Sequence, residues 1–508
     1  MPRKRCDILA EFMSRQIDKR NQSCYNGFTD GLKQRIGGVS MGMFLNSRAP
    51  ADEYRSIAET RFFVDKSAMI DEMIETAMED GQKYFAITRP RRFGKSIMAD
   101  MIAAFFGRAV DGKELFDRLA IADSARYQEH LNRHEVIYID FSRLPENCPS
   151  YDAYIKRISD GIKADLLQEY PALGLDPGSS VWDNLQTIYE KENIGFVFVM
   201  DEWDAIFLKD FVTESDRKRH LEFLRDLLKG QAYVELAYMT GVLPISKYSS
   251  GSELNMFREY DMVTREKFSE YFGFLDSEVD RLFDIYQKTT KNAKLTRDSL
   301  TEWYDGYYAA SGARLYNPRS IIGALTDNQI GSYWTSSGPY DEIFYYIRNN
   351  IDDIREELAL MVAGESVEIK LQGYSVTATE LNTRNQIYSA MVVYGLLTYS
   401  GGAVSIPNRE LMEKYDELLL ENKSLGYVHS LAKESAKMLK ATLSGDTGTM
   451  CKILKFAHDT ESPILSYNSE VELSAVVNLV YLAARDKYRI EREDKAGEGY
   501  VDFIFYPE

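Results

Sequence analysis

The residues with the strongest chemical content are Thr88-Arg89-Pro90-Arg91-Arg92-Phe93-Gly94-Lys95-Ser96. Gly94, Lys95 and Ser96 fit the end of GxxxxGK[ST]. In that loop glycine lets backbone N–H groups approach phosphate, the lysine reaches the β- and γ-phosphates, and the hydroxyl meets Mg²⁺. Arg89 stands where the first glycine belongs, and Pro90 follows it. Arg89, Pro90, Arg91, Arg92, Phe93, Gly94, Lys95 and Ser96 together form the candidate nucleotide-binding loop, with Arg89, Arg91, Arg92 and Lys95 supplying positive charge where phosphates would sit. The second signal is Phe196-Val-Phe-Val-Met200 running straight into Asp201-Glu202-Trp203-Asp204. Carboxylates at the end of a buried strand are costly unless they hold a cation or face a cleft. Asp201 with Ser96 suits Mg²⁺, and Glu202 suits the orientation of water for in-line attack. The third is Leu236-Ala-Tyr-Met-Thr240-Gly241, a strand ending in a hydroxyl that could monitor a γ-phosphate. Each alone also reads as an ordinary turn after a core strand. Their order and context favour ATP chemistry, with Lys95, Glu202 and Thr240 as the catalytic groups.

These residues need elements to hold them. Ser67 is placed to cap a helix over 68–79, with Ile70, Met73, Ile74 and Ala77 on one face and Gly81 beyond its end. Lys83 to Thr88 reads as a buried strand, and Ser96 to Phe106 as an apolar helix. A second strand is expected over 136–141, a helix over 154–170, and a loop over 171–180. Strands over 195–200 and 232–240 flank a helix over 215–228. Strands alternating with helices predict a parallel sheet covered on both faces. The fold class is thus α/β, a P-loop sheet with helices on both faces. From about 264 to 422 the pattern turns mostly helical, with a strand-like piece at 396–399. Beyond it come helices, a helix over 469–485, and strands over 488–493 and 499–506.

Composition narrows the field. The 508 residues hold 61 Lys and Arg against 79 Asp and Glu, a net charge of −18. An acidic chain meets a polyanion only at a local basic patch. Four cysteines without a CxxC pair and five dispersed histidines give no zinc pattern. No stretch approaches the ~20 apolar residues of a membrane span, and Asp7 and Glu11 spoil the start as a signal sequence. A cytoplasmic protein without membrane contact is the expectation. Residues 1–50 carry nine Lys and Arg against four Asp and Glu, read as a poorly ordered basic leader rather than a nucleic-acid arm.

Taken together, the motif at 88–96, Phe63-Val-Asp-Lys66, Met200 to Asp204 and Met239-Thr-Gly-Val242 resemble the bacterial AAA-ATPase-like family. The likeness continues in Trp303-Tyr-Asp-Gly-Tyr307, Leu315-Tyr-Asn-Pro-Arg-Ser320, Tyr333-Trp334 and Ser405-Ile-Pro-Asn-Arg-Glu410. The resemblance covers residue 41 onwards and implies ATP and Mg²⁺ as ligands. It divides the chain into a basic extension (1–40), a P-loop ATPase domain (41–263), a helical middle domain (264–422) and a nuclease-like region (423–508). It also implies that Arg319 could reach a phosphate, although an ordinary surface arginine reads as well. The aromatic residues of the middle stretches are expected in core or lid packing rather than stacking on bases.

Members of the family are often fused to a PD-(D/E)XK nuclease-like domain. By that resemblance Asp502 matches the first acid, Glu470 or Glu472 the helix acid, and Glu493 a glutamate before the hairpin. The (D/E)xK strand should follow Asp502, and six residues remain. Glu493-Asp494-Lys495 spells ExK but reads as a solvated hairpin tip, so the nuclease-like site is expected to be incomplete. The sequence therefore predicts an ATPase that drives or gates a conformational change. A slow switch or scaffold, and a Mg²⁺-dependent nuclease completed by a missing strand, are the alternatives. A nucleic-acid or protein partner for the C-terminal region, and oligomerisation, stay open.

Overall fold

The structure, a computed structural model, describes residues 42–245, 253–335, 351–371, 383–421, 423–458, 470–485, 487–496 and 499–507. The expected basic extension over 1–40 lies outside them.

A run with every residue apolar, such as Phe196 to Met200, can be buried on both faces of a sheet. It does so in β3 (Phe196–Asp201), whose six residues are all buried. The sheet is completed by β1 (Tyr84–Thr88), β2 (Glu135–Asp140), β4 (Val234–Gly241) and β5 (Arg258–Tyr260). Its order is β2-β3-β4-β1-β5, and every pairing is parallel. Strand β4 thus lies between the strand that precedes the lysine loop and the strand that ends in Asp201-Glu202. The register aligns the carboxyl ends, with Asp140 opposite Asp201 and Thr240 opposite Ile87.

Because side chains alternate along a strand, β3 feeds two cores. Phe196, Phe198 and Met200 join one with α4 (Tyr151–Glu169), α5 (Val181–Glu192) and α6 (Glu214–Leu228). Val197 and Val199 join the other, with α1 (Ala49–Ala58), α2 (Ala68–Glu79) and α3 (Lys95–Phe106). Helix α3 buries nine of its twelve residues. At ~1.5–3 kcal/mol for each large apolar side chain, its Met98, Met101, Ile102, Phe105 and Phe106 seat the helix whose first turn carries Lys95 and Ser96. Single hydroxyl caps start α4 (Ser150) and α5 (Ser180), and a Thr213–Asp216 capping box starts α6.

Three local features differ from the sequence expectations. Ser67 does not cap α2: its backbone is already helical, and its hydroxyl instead accepts from the Ile121 amide at 3.0 Å. Helices α1 and α5 and the three-residue β5 carry no predicted counterpart. β5 is short and charged (Arg258-Glu259-Tyr260) and becomes a strand by pairing with β1. The expected tip at Glu493-Asp494-Lys495 belongs to a ladder, since the strand Tyr488–Ala496 pairs Asp494 with Val501 and Lys495 with Tyr500 of the strand Gly499–Pro507. Backbone pairing extends past the apolar residues because it does not depend on side-chain polarity.

After β5 the chain is largely helical. A small three-stranded sheet of β6 (Phe274–Leu275), β7 (Tyr307–Tyr308) and β8 (Arg314–Tyr316) sits with α7 (Asp276–Thr289), α8 (Arg297–Tyr304) and α9 (Pro318–Asp327) over a core of Leu282, Tyr286, Tyr304 and Tyr316. The expected packing role of the aromatic stretches matches the burial of Tyr304, Tyr307 and Tyr316. Arg319 is exposed in the first turn of α9. A further core joins Leu358, Met391, Leu411 and Leu418 to Leu431, Val476 and Leu479. The expected division at 422/423 runs through this core. No helix among the described residues is long and apolar enough to cross a membrane.

Candidate phosphate and metal site

The loop between β1 and α3 is built on two left-handed residues, Arg92 (φ 68) and Gly94 (φ 91). Gly94 is the N-cap of α3 and brings no side chain to cap it. A Cβ added there would meet nothing within 4 Å, so its requirement is one of backbone conformation. A helix's first amides have no carbonyl partner within the helix, and here they open at the carboxyl edge of the sheet. Lys95 is 6% exposed and donates to the carbonyls of Arg89 at 3.0 Å and Pro90 at 2.9 Å. Burial pulls its pKa down to about 8, against the opposing pull of Asp201, Asp204 and Glu202.

Arg89, expected in the nucleotide-binding loop, turns its side chain into the protein. Its guanidinium is wholly buried, donates to the carbonyls of Thr88, Tyr260 and Phe268 at 2.8–2.9 Å, and lies 4.7 Å from the Phe272 ring centre. It ties the loop to β5 and the segment beyond. Its backbone has no positive φ, unlike Arg92 and Gly94, which is why a side chain is tolerated at the first glycine position. Arg92 is exposed and Arg91 half-buried, while Pro90 and Phe93 face protein.

Asp201 and Thr240 end neighbouring strands and point to the α3 side of the sheet, as the alternation of Val197 and Val199 requires. The Ser96 hydroxyl lies beside the Asp201 carboxylate; burial raises that carboxyl to about 7, with Ser96 and Lys95 pulling down and Glu202 pushing up. Glu202 turns the chain at φ 49, and its amide donates to Asp201 Oδ1 at 3.0 Å. Ser96, Asp201 and Glu202 open into a cleft of about 470 Å³ that also holds Asp100, Asp140 and Arg143. The Thr240 hydroxyl is buried without a hydrogen-bond partner.

Other residues escaped the sequence reading. Asp204 is a structural clasp, accepting the amides of Val242 at 3.1 Å and Leu243 at 2.6 Å and so fixing the loop after Thr240. Asp100 accepts the Tyr138 hydroxyl at 2.8 Å; burial raises it to about 7. Its spacing of four residues from Ser96 places it on the same helix face, a signal the sequence did contain. His220 of α6 contacts the Trp203 carbonyl through Nε2 at 3.0 Å and the Tyr151 hydroxyl through Nδ1 at 3.4 Å. Rings of Phe141, Tyr151 and Phe207 surround it.

Burial holds His220 down at about 4, so the fold binds it neutral. Stability from this group is fully present above its unfolded pKa near 6.5 and is lost as pH falls toward 4. The window is worth about 3 kcal/mol at most. We expect the urea midpoint to fall between pH 6.5 and 4 in the unaltered chain and to fall less in His220→Phe. Equal slopes for the two would refute this.

The site fits ATP with Mg²⁺. The orphaned Thr240 hydroxyl, the glycine N-cap and the Ser96–Asp201 pair are what such a ligand would complete. No three His, Cys, Asp or Glu side chains among the described residues form a metal cage, but Mg²⁺ takes only one or two protein ligands beside phosphates and water. Of the four nuclease-like acids, Glu470 and Glu472 belong to the helix Glu470–Val480, Glu493 to the strand Tyr488–Ala496 and Asp502 to the strand Gly499–Pro507. Their side chains lie outside the described residues.

Residues 51–250 match the AAA-ATPase-like family, described as a predicted AAA-ATPase. The chain is 26% identical over 289 residues to an uncharacterized protein in the vnfD 5′ region of Azotobacter chroococcum mcd 1, covering 54% of this chain and 51% of that one. It therefore spans about half that relative's length. Among solved structures, it is similar to the Walker-type ATPase paby2304 of Pyrococcus abyssi, with a TM-score of 0.38, 13% identity, and coverage of 69% of this chain and 94% of that one. The Aeropyrum pernix ORC2 protein matches with a TM-score of 0.31, 10% identity, and coverage of 74% and 95%.

Proposed function

We propose that the protein binds ATP with Mg²⁺ at the β1–α3 loop and hydrolyses it to ADP and phosphate, gating a movement of residues 264–422. The observation that carries this reading is the meeting of three groups from three elements. They are the Lys95–Ser96 turn, the Asp201-Glu202 pair at the end of β3, and the unpartnered Thr240 hydroxyl on β4 between them. Bound Mg²⁺ would neutralise charge on the β- and γ-phosphates, held by Ser96 and Asp201. Lys95, already within the loop, carries positive charge to the phosphates, and their arrival favours its protonated form. Arg91 and Arg92 add positive potential at the rim. Glu202 orients the attacking water from the cleft, and the Thr240 hydroxyl meets the γ-phosphate.

Lys95→Ala tests the reading. Loss of one charge-assisted contact of ~1.5–3 kcal/mol predicts ATP binding weaker by roughly tenfold to a hundredfold, measured by titration calorimetry. Steady-state phosphate release should fall with it. Background turnover that Lys95→Ala leaves unchanged would reduce the protein to a switch or scaffold, or remove nucleotide altogether.

The nuclease-like reading of the C-terminal region is a separate proposal that rests on the resemblance at Glu470, Glu472, Glu493 and Asp502. Metal-dependent plasmid cleavage abolished by Asp502→Ala would establish it; no cleavage leaves the region without that activity.

A further inference from the structure

Four stretches have no part in the phosphate chemistry: Trp303 to Tyr307, Leu315 to Ser320, Tyr333-Trp334 and Ser405 to Glu410. The fold gathers them at the outer side of the phosphate loop. Glu410, 2% exposed, accepts the amide N–H groups of Trp334 at 2.6 Å and Thr335 at 3.3 Å through Oε1. Its Oε2 accepts the Ser320 hydroxyl at 2.6 Å. Burying a carboxylate is costly unless it is hydrogen-bonded, and here the bonds fix the backbone that carries Trp334. The Trp334 indole N–H in turn donates to the Arg91 carbonyl at 3.0 Å, 243 residues away in sequence.

Neighbouring contacts brace the same loop. Phe93 meets the Tyr307 ring edge-on at 5.0 Å, and the Tyr307 hydroxyl donates to the Gly395 carbonyl at 2.8 Å. Gly395 has φ +76, and a Cβ there would come within 2.7 Å of Pro90 Cβ. The Phe93 carbonyl accepts the Gly273 amide at 3.2 Å. The carbonyls of Arg89 and Pro90 go to Lys95, that of Arg91 to Trp334, and that of Phe93 to Gly273. Each loop carbonyl named is held by protein, which fixes the peptide planes whose amides a phosphate would meet.

We propose that Trp334, seated by Glu410, is a positioning residue for the phosphate loop: its N–H holds the Arg91 peptide in the nucleotide-ready orientation and couples nucleotide binding to the docking of residues 264–422. This rests on the nucleotide reading of the site. Holding the loop in advance removes an ordering cost that binding would otherwise meet. Coupling of this kind is reciprocal, so nucleotide must also strengthen the Trp334 contact.

The test is ADP binding, with Mg²⁺, to the full chain and to Trp334→Phe, Tyr307→Phe, Lys95→Ala and Trp303→Phe. Trp334→Phe keeps an aromatic ring and loses one hydrogen bond, so affinity should fall roughly two- to tenfold, with the unliganded melting temperature lower by about 2–4 °C at most. Tyr307→Phe should act in the same direction, and Trp303→Phe, whose ring packs under Arg409, should bind as the unaltered chain does. The difference in tryptophan emission between the unaltered chain and Trp334→Phe should shift on adding ADP, and should not in Lys95→Ala. If the unaltered chain binds ADP, Lys95→Ala weakens it, and Trp334→Phe matches the unaltered chain with no Trp334 emission change, the proposal falls and the site reading stands. If the unaltered chain binds neither ADP nor ATP, the site reading falls and takes the proposal with it.

Discussion

Glu202→Gln is expected to bind ATP about as tightly as the unaltered chain and to release phosphate at least roughly a hundredfold more slowly. The two carboxylates at the end of β3 are not equivalent. Asp201 is buried with the Ser96 hydroxyl beside it, and in the proposed site these two serve the metal. Glu202 is half-buried and lines the cleft, where a water can reach it. Its backbone is in the left-handed region at φ 49, a conformation that costs a non-glycine residue about 1–3 kcal/mol. That cost turns the chain sharply enough to leave Asp201 in the strand and bring the next carboxylate to the cleft. Glutamine preserves size and hydrogen bonding but cannot accept a proton, so the variant separates orientation and activation of water from binding. Binding by calorimetry and phosphate release by a coupled assay give the two readouts. Turnover within threefold of the unaltered chain would remove Glu202 from the mechanism. Loss of ATP binding would place it in ground-state recognition instead.

What was legible in the sequence follows from how local each cause is. A short, wholly apolar run such as Phe196 to Met200 suits a doubly buried strand, and its continuation into Asp201-Glu202 fixes where the acids emerge. Gly94-Lys95-Ser96 after an apolar strand and before an apolar helix specifies the loop through backbone requirements carried by the residues themselves. Thr240 was readable as the end of a strand, though not its placement between β1 and β3, which is a matter of sheet order. The unread parts depend on partners far along the chain. Nothing near Arg258-Glu259-Tyr260 marks it as a strand, because β1 supplies its ladder. The Ser405 to Glu410 stretch gives no sign of what Glu410 touches, since Trp334, Thr335 and Ser320 reach it from far along the chain. His220 sits in a charged stretch, and only the tertiary aromatic cage makes it a neutral core group. Nothing in Met200 to Asp204 sets Asp204 apart from its neighbours, and its two backbone donors, Val242 and Leu243, make it a clasp. Arg89 is the clearest case, since a motif gives residue types and spacing but not whether a side chain points toward a ligand or toward the core.

That distinction yields the second large effect. Arg89→Ala should destabilise the fold by about 3–5 kcal/mol, whereas Arg91→Ala and Arg92→Ala should cost the fold less and weaken ATP binding. The Arg89 guanidinium satisfies three carbonyls, those of Thr88, Tyr260 and Phe268, and each buried acceptor left unpaired costs about 1–3 kcal/mol. Removing the side chain also opens a cavity beside Phe272, which adds a packing loss. Lysine cannot replace it well, because a point charge with a flexible stem does not reproduce a planar fork that reaches two segments at once. Urea unfolding monitored by circular dichroism gives the stability, and calorimetry at a temperature where each variant is folded gives the affinity. A phosphate ligand would behave in the opposite way, leaving the midpoint in place and removing ATP binding. Should Arg89→Ala do that, the guanidinium would have to leave its carbonyls when nucleotide arrives, and the loop's attachment to β5 would be a switch rather than an anchor.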